Sequence, residues 1–257
     1  MPFSLSLPAL QAVVDAPLSP ISLGAFGLGV NIVEAITQSD NMGRICLLTL
    51  LVMSVWSSAI IVAKFREIRL AVNQTENFMH QCFEGQKSLS EIYQIAENFP
   101  NSPLANLLSE AYIQYEIEAE QESAEVLSFE QRLHLSRTCV ESVLERTISS
   151  EMRRLDNRLI GLATTSTLAP FIGLFGTVWG VLGSFQSMGH SGAGDLTTLA
   201  PGLSTALVTT IAGLVVAIPA VAFYNYLSAN VSRLNSQMES FAYELSTIFQ
   251  KHLLRRG

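Results

Sequence analysis

Three stretches of this chain are apolar for the length of a membrane crossing. Between them, apolar residues recur at helical spacing. Residues 45–63 lie between Arg44 and Lys64 and contain no charge. At 1.5 Å per residue they reach across a hydrocarbon core of ~30 Å. Residues 159–194 contain no Asp, Glu, Lys or Arg; Asp195 interrupts, and the next charge is Arg233. Two further membrane-length segments therefore stand back to back. The intervening polar region reads as helix throughout. Ser88 with Glu91 is a capping-box signature, and Ser102 before Pro103 places a cap ahead of proline at the first helical position. Leu104, Leu107, Leu108, Ala111, Tyr112 and Tyr115 then repeat on one face. Ser128 with Gln131 offers another capping box. From Val140 through Leu144, Ile148, Met152 and Leu155 a stripe runs straight into the second span at Leu159, predicting one long helix there. Leu234, Met238, Phe241, Leu245 and Ile248 predict the same beyond the third.

The fold class expected is an all-α membrane protein with three transmembrane helices, two of them extending into a cytoplasmic helical bundle. About 90 polar-region residues cannot bury a large core alone, so their stripes should pack on the extended ends of the membrane helices. The divisions are an external tail and interfacial helix (1–43), the first span (44–64), a cytoplasmic helical region (65–154), the second span with its extension (155–185), an external loop (186–196), the third span (197–228) and a cytoplasmic C-terminal helix (229–257). Basic residues favour the cytoplasmic side of a membrane. Arg66, Arg69, Arg153, Arg154, Arg158, Arg233, Lys251, Arg255 and Arg256 all fall on one side under this scheme, with Arg44 alone opposed. Residues 1–43 hold no Lys or Arg, so a secretory leader with a basic start is not expected.

Composition narrows the chemistry. Charged residues make up 14% of the chain, against about 25% in soluble domains. The net charge of −7 collects in Glu116, Glu118, Glu120, Glu122 and Glu125, which read as a solvated helix face. No basic footprint for nucleic acid is present. Cys46, Cys82 and Cys139 are scattered without a CxxC pair, so neither a metal site nor a disulfide framework is expected, and no cofactor. His80, His134, His190 and His252 are isolated, and no nucleophile elbow or phosphate loop occurs, so an enzyme is not expected.

The membrane segments carry the informative residues. Gly173, Gly176, Gly180 and Gly213 suit close helix packing, and Gly176 with Gly180 is a GxxxG pair. Pro201 falls in the first turn of the third span if Thr197 or Thr198 caps it, where proline is tolerated. Pro170 and Pro219 lie deeper and release backbone carbonyls that a neighbour or water must satisfy. Thr177 stands 18 residues above Leu159, and Thr210 stands 17 before Leu227. Both therefore sit ~26 Å up antiparallel helices. Each could satisfy itself on its own helix. Two at one depth, beside glycines and kinks, point to a polar lining. Neither segment offers a carboxylate, and a proton path through lipid needs an ionisable relay. That relay would come from another subunit.

Residues 168–185, LAPFIGLFGTVWGVLGSF, and 199–227, LAPGLSTALVTTIAGLVVAIPAVAFYNYL, resemble the second- and third-span motifs of the MotA/TolQ/ExbB proton channel family. The resemblance implies a homo-oligomeric ring, typically a pentamer, in the bacterial inner membrane. The ring surrounds a TolR/ExbD-like single-span dimer whose Asp carries the protons. The resulting motion passes to a TolA/TonB-like transducer. Thr177 and Thr210 match the family's pore-lining threonines. Thr205 stands where TolQ and ExbB carry Glu, a departure that removes a carboxylate near the outer mouth while leaving a hydroxyl. The layout is closest to TolQ, with ExbB next; a motor of gliding or secretion type stays open, whereas flagellar stators have four spans. The competing reading is a non-conducting scaffold in which Thr and Gly only pack helices.

Overall fold

The computed structural model describes residues 40–83, 88–121, 129–191 and 196–256. Six helices hold them: α1 (Asn41–Phe83), α2 (Leu89–Ala96), α3 (Pro103–Gln121), α4 (Phe129–Asp156), α5 (Leu159–Ser191) and α6 (Leu196–Arg256). Among the described residues there is no strand. The chain is an all-α protein with three helices, α1, α5 and α6, long and apolar enough to cross a membrane. Residues 1–39 of the expected external tail and interfacial helix, and the Ser128 cap, lie outside the described residues.

Two of the caps form as the sequence signalled. The Ser88 hydroxyl accepts from the Glu91 amide at 3.3 Å, and the Glu91 carboxylate accepts from the Ser88 amide at 3.0 Å. Ser102 is fully buried; its hydroxyl accepts from the Ala105 amide and lies 3.1 Å from the Thr75 hydroxyl of α1. The start of α3 is thus fixed to α1 as well as capped.

Of the two long helices the stripes predicted, the third span forms and the second does not. α1 runs 43 residues and α6 runs 61 residues without a break. The second span instead stops at Leu159, because α4 ends at Asp156 and Arg158 takes φ 72°, a left-handed backbone that side chains disfavour. The first and third spans, not the second and third, extend into the bundle. The break leaves the Arg154 carbonyl without the amide that a continuous helix would supply. Lys64 of α1 takes that role: its buried ammonium donates to this carbonyl at 2.9 Å and pairs with Glu67 at 2.9 Å. A cation at a helix C-terminus also complements the helix dipole. α6 differs from expectation at its other end. It begins at Leu196, which puts Pro201 in the second turn, where its missing N–H removes a hydrogen bond to the Thr197 carbonyl.

Three apolar clusters stack along the helices. In the bundle, Phe78 of α1, Leu107 of α3, Leu144 of α4 and Phe241 of α6 share one core, so the short helices pack on the ends of α1 and α6. At the break, Leu159 and Leu227 are buried together with Ile60 and Leu155. Higher, Leu50 joins Ala169 and Val216. Removing the Lys64 charge should expose the value of the cap. Lys64→Ala is expected to lower stability by about 1–3 kcal/mol, the cost of a buried unsatisfied carbonyl, read as a drop in the midpoint of thermal unfolding in detergent. Arg158→Gly should raise that midpoint by relieving the left-handed strain.

Candidate functional site at the seam of two membrane helices

α5 and α6 run antiparallel at backbone contact. The reason is a matched series of small residues: Ala169, Gly173, Gly176 and Gly180 on α5 meet Gly213, Thr210, Thr209 and Ala206 on α6. A methyl added at Gly173 would lie 2.8 Å from the Thr209 carbonyl oxygen and 3.0 Å from the Thr210 Cα. One added at Gly213 would lie 2.6 Å from the Ala169 carbonyl oxygen. One added at Gly180 would lie 2.7 Å from the Ala206 methyl. In lipid no hydrophobic force drives two helices together, so contact this close is what dispersion and hydrogen bonds require.

One carbonyl ties the seam. Gly173 O accepts from the Thr210 hydroxyl at 3.0 Å and from the Thr209 hydroxyl at 3.1 Å. Thr209 also donates toward the Ala206 carbonyl of its own helix at 2.7 Å. The Thr177 hydroxyl donates to the Leu174 carbonyl at 2.7 Å, and its oxygen lies 3.5 Å from the Thr210 hydroxyl. The two threonines expected at a common depth are therefore neighbours across the seam. Every one of these hydroxyl protons is directed at an oxygen. What Thr177 and Thr210 present outward is lone pairs, because a hydroxyl accepts as well as donates.

The seam has two edges, and α1 covers one of them. Leu50 and Met53 of α1 cluster there with Ile172, Ala212 and Val216, and the Trp179 indole donates to the Asp40 carboxylate at 3.3 Å. Thr177 and Thr210, both half-buried, lie on the other edge. Their flanking neighbours Leu174, Leu207 and Leu214 are 53%, 62% and 45% exposed, so no described element of this chain covers that side. Thr205 does not join the pair. Five residues before Thr210, it lies about 140° around the helix, on the stripe of Val216 that faces α1. Pro170 is half-buried next to the open edge, and Pro219 is exposed. Only the backbone of Pro201 is described.

Thr209 was missed by the sequence reading. It is 1% exposed and is the residue a methyl at Gly176 would strike first. The signal was present: Gly202, Ala206, Thr209 and Gly213 repeat at intervals of four, three and four, complementary to 169, 173, 176 and 180. Among the described residues no group of three or more His, Cys, Asp or Glu side chains could hold a metal ion. The serines of α4 bond within their helix, Ser142 to the Cys139 carbonyl and Ser150 to that of Thr147.

These features define a multi-pass membrane protein whose last two spans form one closely packed unit with a hydroxyl-bearing edge. The family model for the MotA/TolQ/ExbB proton channel family matches residues 108–240, just over half of the chain, and the chain belongs to that family. It is 39% identical over 104 residues to the Tol-Pal system protein TolQ of Haemophilus influenzae, covering 40% of this chain and 46% of that protein. It is 37% identical over 145 residues to the biopolymer transport protein ExbB of Neisseria gonorrhoeae, covering 56% and 64%. The ExbB of Salmonella typhimurium is 32% identical over 168 residues, 65% of each. The chain thus spans roughly half to two thirds of these relatives.

Glycines on α5 should differ sharply in tolerance. Gly173→Ala, pressed against backbone, should destabilise by about 1–3 kcal/mol. Gly183→Ala has nothing within 4 Å of the added carbon and should be neutral. Thermal unfolding of the two purified variants compares them directly.

Proposed function

We propose that this chain is the wall subunit of a proton-driven motor in the bacterial inner membrane. Its copies form a ring, in our reading a pentamer, around a TolR/ExbD-like single-span dimer. Proton flow through that assembly does mechanical work on a TolA/TonB-like transducer, serving envelope integrity, biopolymer transport or import. The N-terminus lies outside, and the bundle and C-terminus lie in the cytoplasm, in keeping with the distribution of Lys and Arg. The observation that carries the reading is the pair of hydroxyls at one depth on the edge that α1 leaves open.

The chemistry follows from where their protons point. Segments 159–194 and 196–232 contain no carboxylate or base beyond His190, so the titrating group is the partner's. A carboxylic acid passing the seam meets lone pairs. In its neutral form it can donate to Thr177 or Thr210; ionised, it has nothing to give. Low dielectric adds to that preference for the neutral form. The wall therefore holds the partner's acid protonated within the membrane and favours proton release where water returns. Each proton crossing 100 mV supplies ~2.3 kcal/mol, the energy available for movement of ring against dimer. Thr205, on the α1 side, serves in this scheme only if α1 shifts, and we assign the lining to Thr177 and Thr210.

The scaffold reading has one observation in its favour: Thr210 is already bonded across the seam. The two readings part on one experiment. The complex is purified with its co-isolated single-span partner, reconstituted into vesicles and assayed for proton uptake with an internal pH dye. Thr177→Val, and Thr210→Val with Thr209 still bonded to the Gly173 carbonyl, should assemble normally and lose uptake by tenfold or more, roughly one hydrogen bond to the passing acid. Unchanged uptake with a full partner complement would return both residues to packing.

A further inference from the structure

The open edge of the seam continues below Thr177. Ser166 precedes Thr177 by eleven residues, which returns it to within about 20° of the same line on α5, roughly 16 Å nearer the bundle. The seam's register, fixed by Gly173 against Thr210 and Ala169 against Gly213, sets Ser166 level with Ala217. Ala217, buried with Ala169, carries no polar group, so Ser166 supplies the hydroxyl at that level. Ser166 is half-buried, and its hydroxyl donates to the Ala163 carbonyl at 2.8 Å, so its oxygen, like those of Thr177 and Thr210, presents lone pairs. Pro170 adds a second acceptor. Lying four residues on, it lacks the N–H that the Ser166 carbonyl would otherwise receive. A released carbonyl in a membrane is stable where protein or water reaches it.

We propose that Ser166 is the cytoplasmic-side station of the proton path, its hydroxyl oxygen and Pro170-released carbonyl holding water on the edge that carries Thr177 and Thr210. The step is one of positioning: water ordered at Ser166 accepts the proton that leaves the partner's acid and passes it to bulk water at the bundle end. No bond of the chain itself is made or broken. Thr167, one residue on and also hydroxylated, lies about 100° away around the helix and is exposed, its hydroxyl bonded to the Ala163 carbonyl. It takes no part.

The inference rests on the lining assigned above, and the test separates the two. In the reconstituted complex with its single-span partner, Ser166→Val covers the carbonyl with methyls and removes the hydroxyl. Pro170→Ala restores the missing N–H. Each should cut proton uptake about tenfold, the equivalent of one neutral hydrogen bond lost from the path, with partner content unchanged. Thr167→Val should stay within about twofold of the parent, as a bystander hydroxyl would. Full uptake in Ser166→Val and Pro170→Ala, with Thr177→Val inactive, overturns the role of Ser166 and leaves the lining. Full uptake in all three overturns both. If Pro170→Ala fails to assemble, Ser166→Cys in a chain with Cys46, Cys82 and Cys139 replaced by Ser decides. Reaction of the intact complex with a charged, water-soluble thiol reagent supports the station, and protection overturns it.

Discussion

The Gly173 carbonyl is the constraint on which the membrane half of this protein turns. It accepts two hydroxyls from α6. It can do so only because glycines at 173, 176 and 213 let the backbones meet. The hydrogen bonds need the contact, and the contact in lipid needs the hydrogen bonds and dispersion that come with it. The common depth of Thr177 and Thr210 is then a consequence of register: fix Gly173 against Thr210, and the residue one turn above Gly173 comes level with the same hydroxyl. Packing and site are one arrangement seen from two edges, with α1 closing the first and no described element of this chain closing the second.

The three spans join the bundle in different ways. α1 and α6 enter it as unbroken helices, and Phe78 and Phe241, one from each, pack edge-on at 6.2 Å inside its core. α5 connects through Asn157 and Arg158, where the backbone leaves the helical region. A displacement of α6 is carried into the bundle along a single rod. A displacement of α5 must pass a left-handed residue braced by Lys64 from a different helix. α5 and α6 are tied to one another at the seam, and α1 braces the joint through Lys64 while Asp40, just ahead of it, holds Trp179 of α5.

Much of this was legible in the residues. Three spans, two caps, the packing of the bundle on extended membrane helices and the pairing of Thr177 with Thr210 all follow from charge gaps, cap signatures and rise per residue. The break at Arg158 did not. The apolar stripe from Val140 to Leu159 has helical spacing on both sides of it, and no glycine or proline marks the spot. The cap comes from Lys64, 90 positions away in sequence, and a long-range partner leaves no local signature. Thr205 misled for another reason. Depth along a helix is read by counting, but the side it faces needs the angle as well, and five residues turn a helix far from where it began. Thr209 stands beside an identical residue, and only the small-residue register across both helices assigns it to the buried side.

Hydropathy alone cannot separate a lipid-facing surface from a subunit-facing one, since acyl chains are as apolar as leucine. Leu174, Leu207 and Leu214 would look the same in either setting. The hydroxyl protons do not separate them either: each is satisfied within the chain, so burying these threonines in lipid strands no donor. The difference lies in the lone pairs. An acceptor left facing hydrocarbon has only a small claim on its surroundings, because a carbonyl or hydroxyl oxygen with one bond made is already largely satisfied. An acceptor facing a titrating acid discriminates between its two protonation states. The same oxygens are thus nearly inert as packing and selective as a wall, and proton traffic, not stability, is the property that tells which they are.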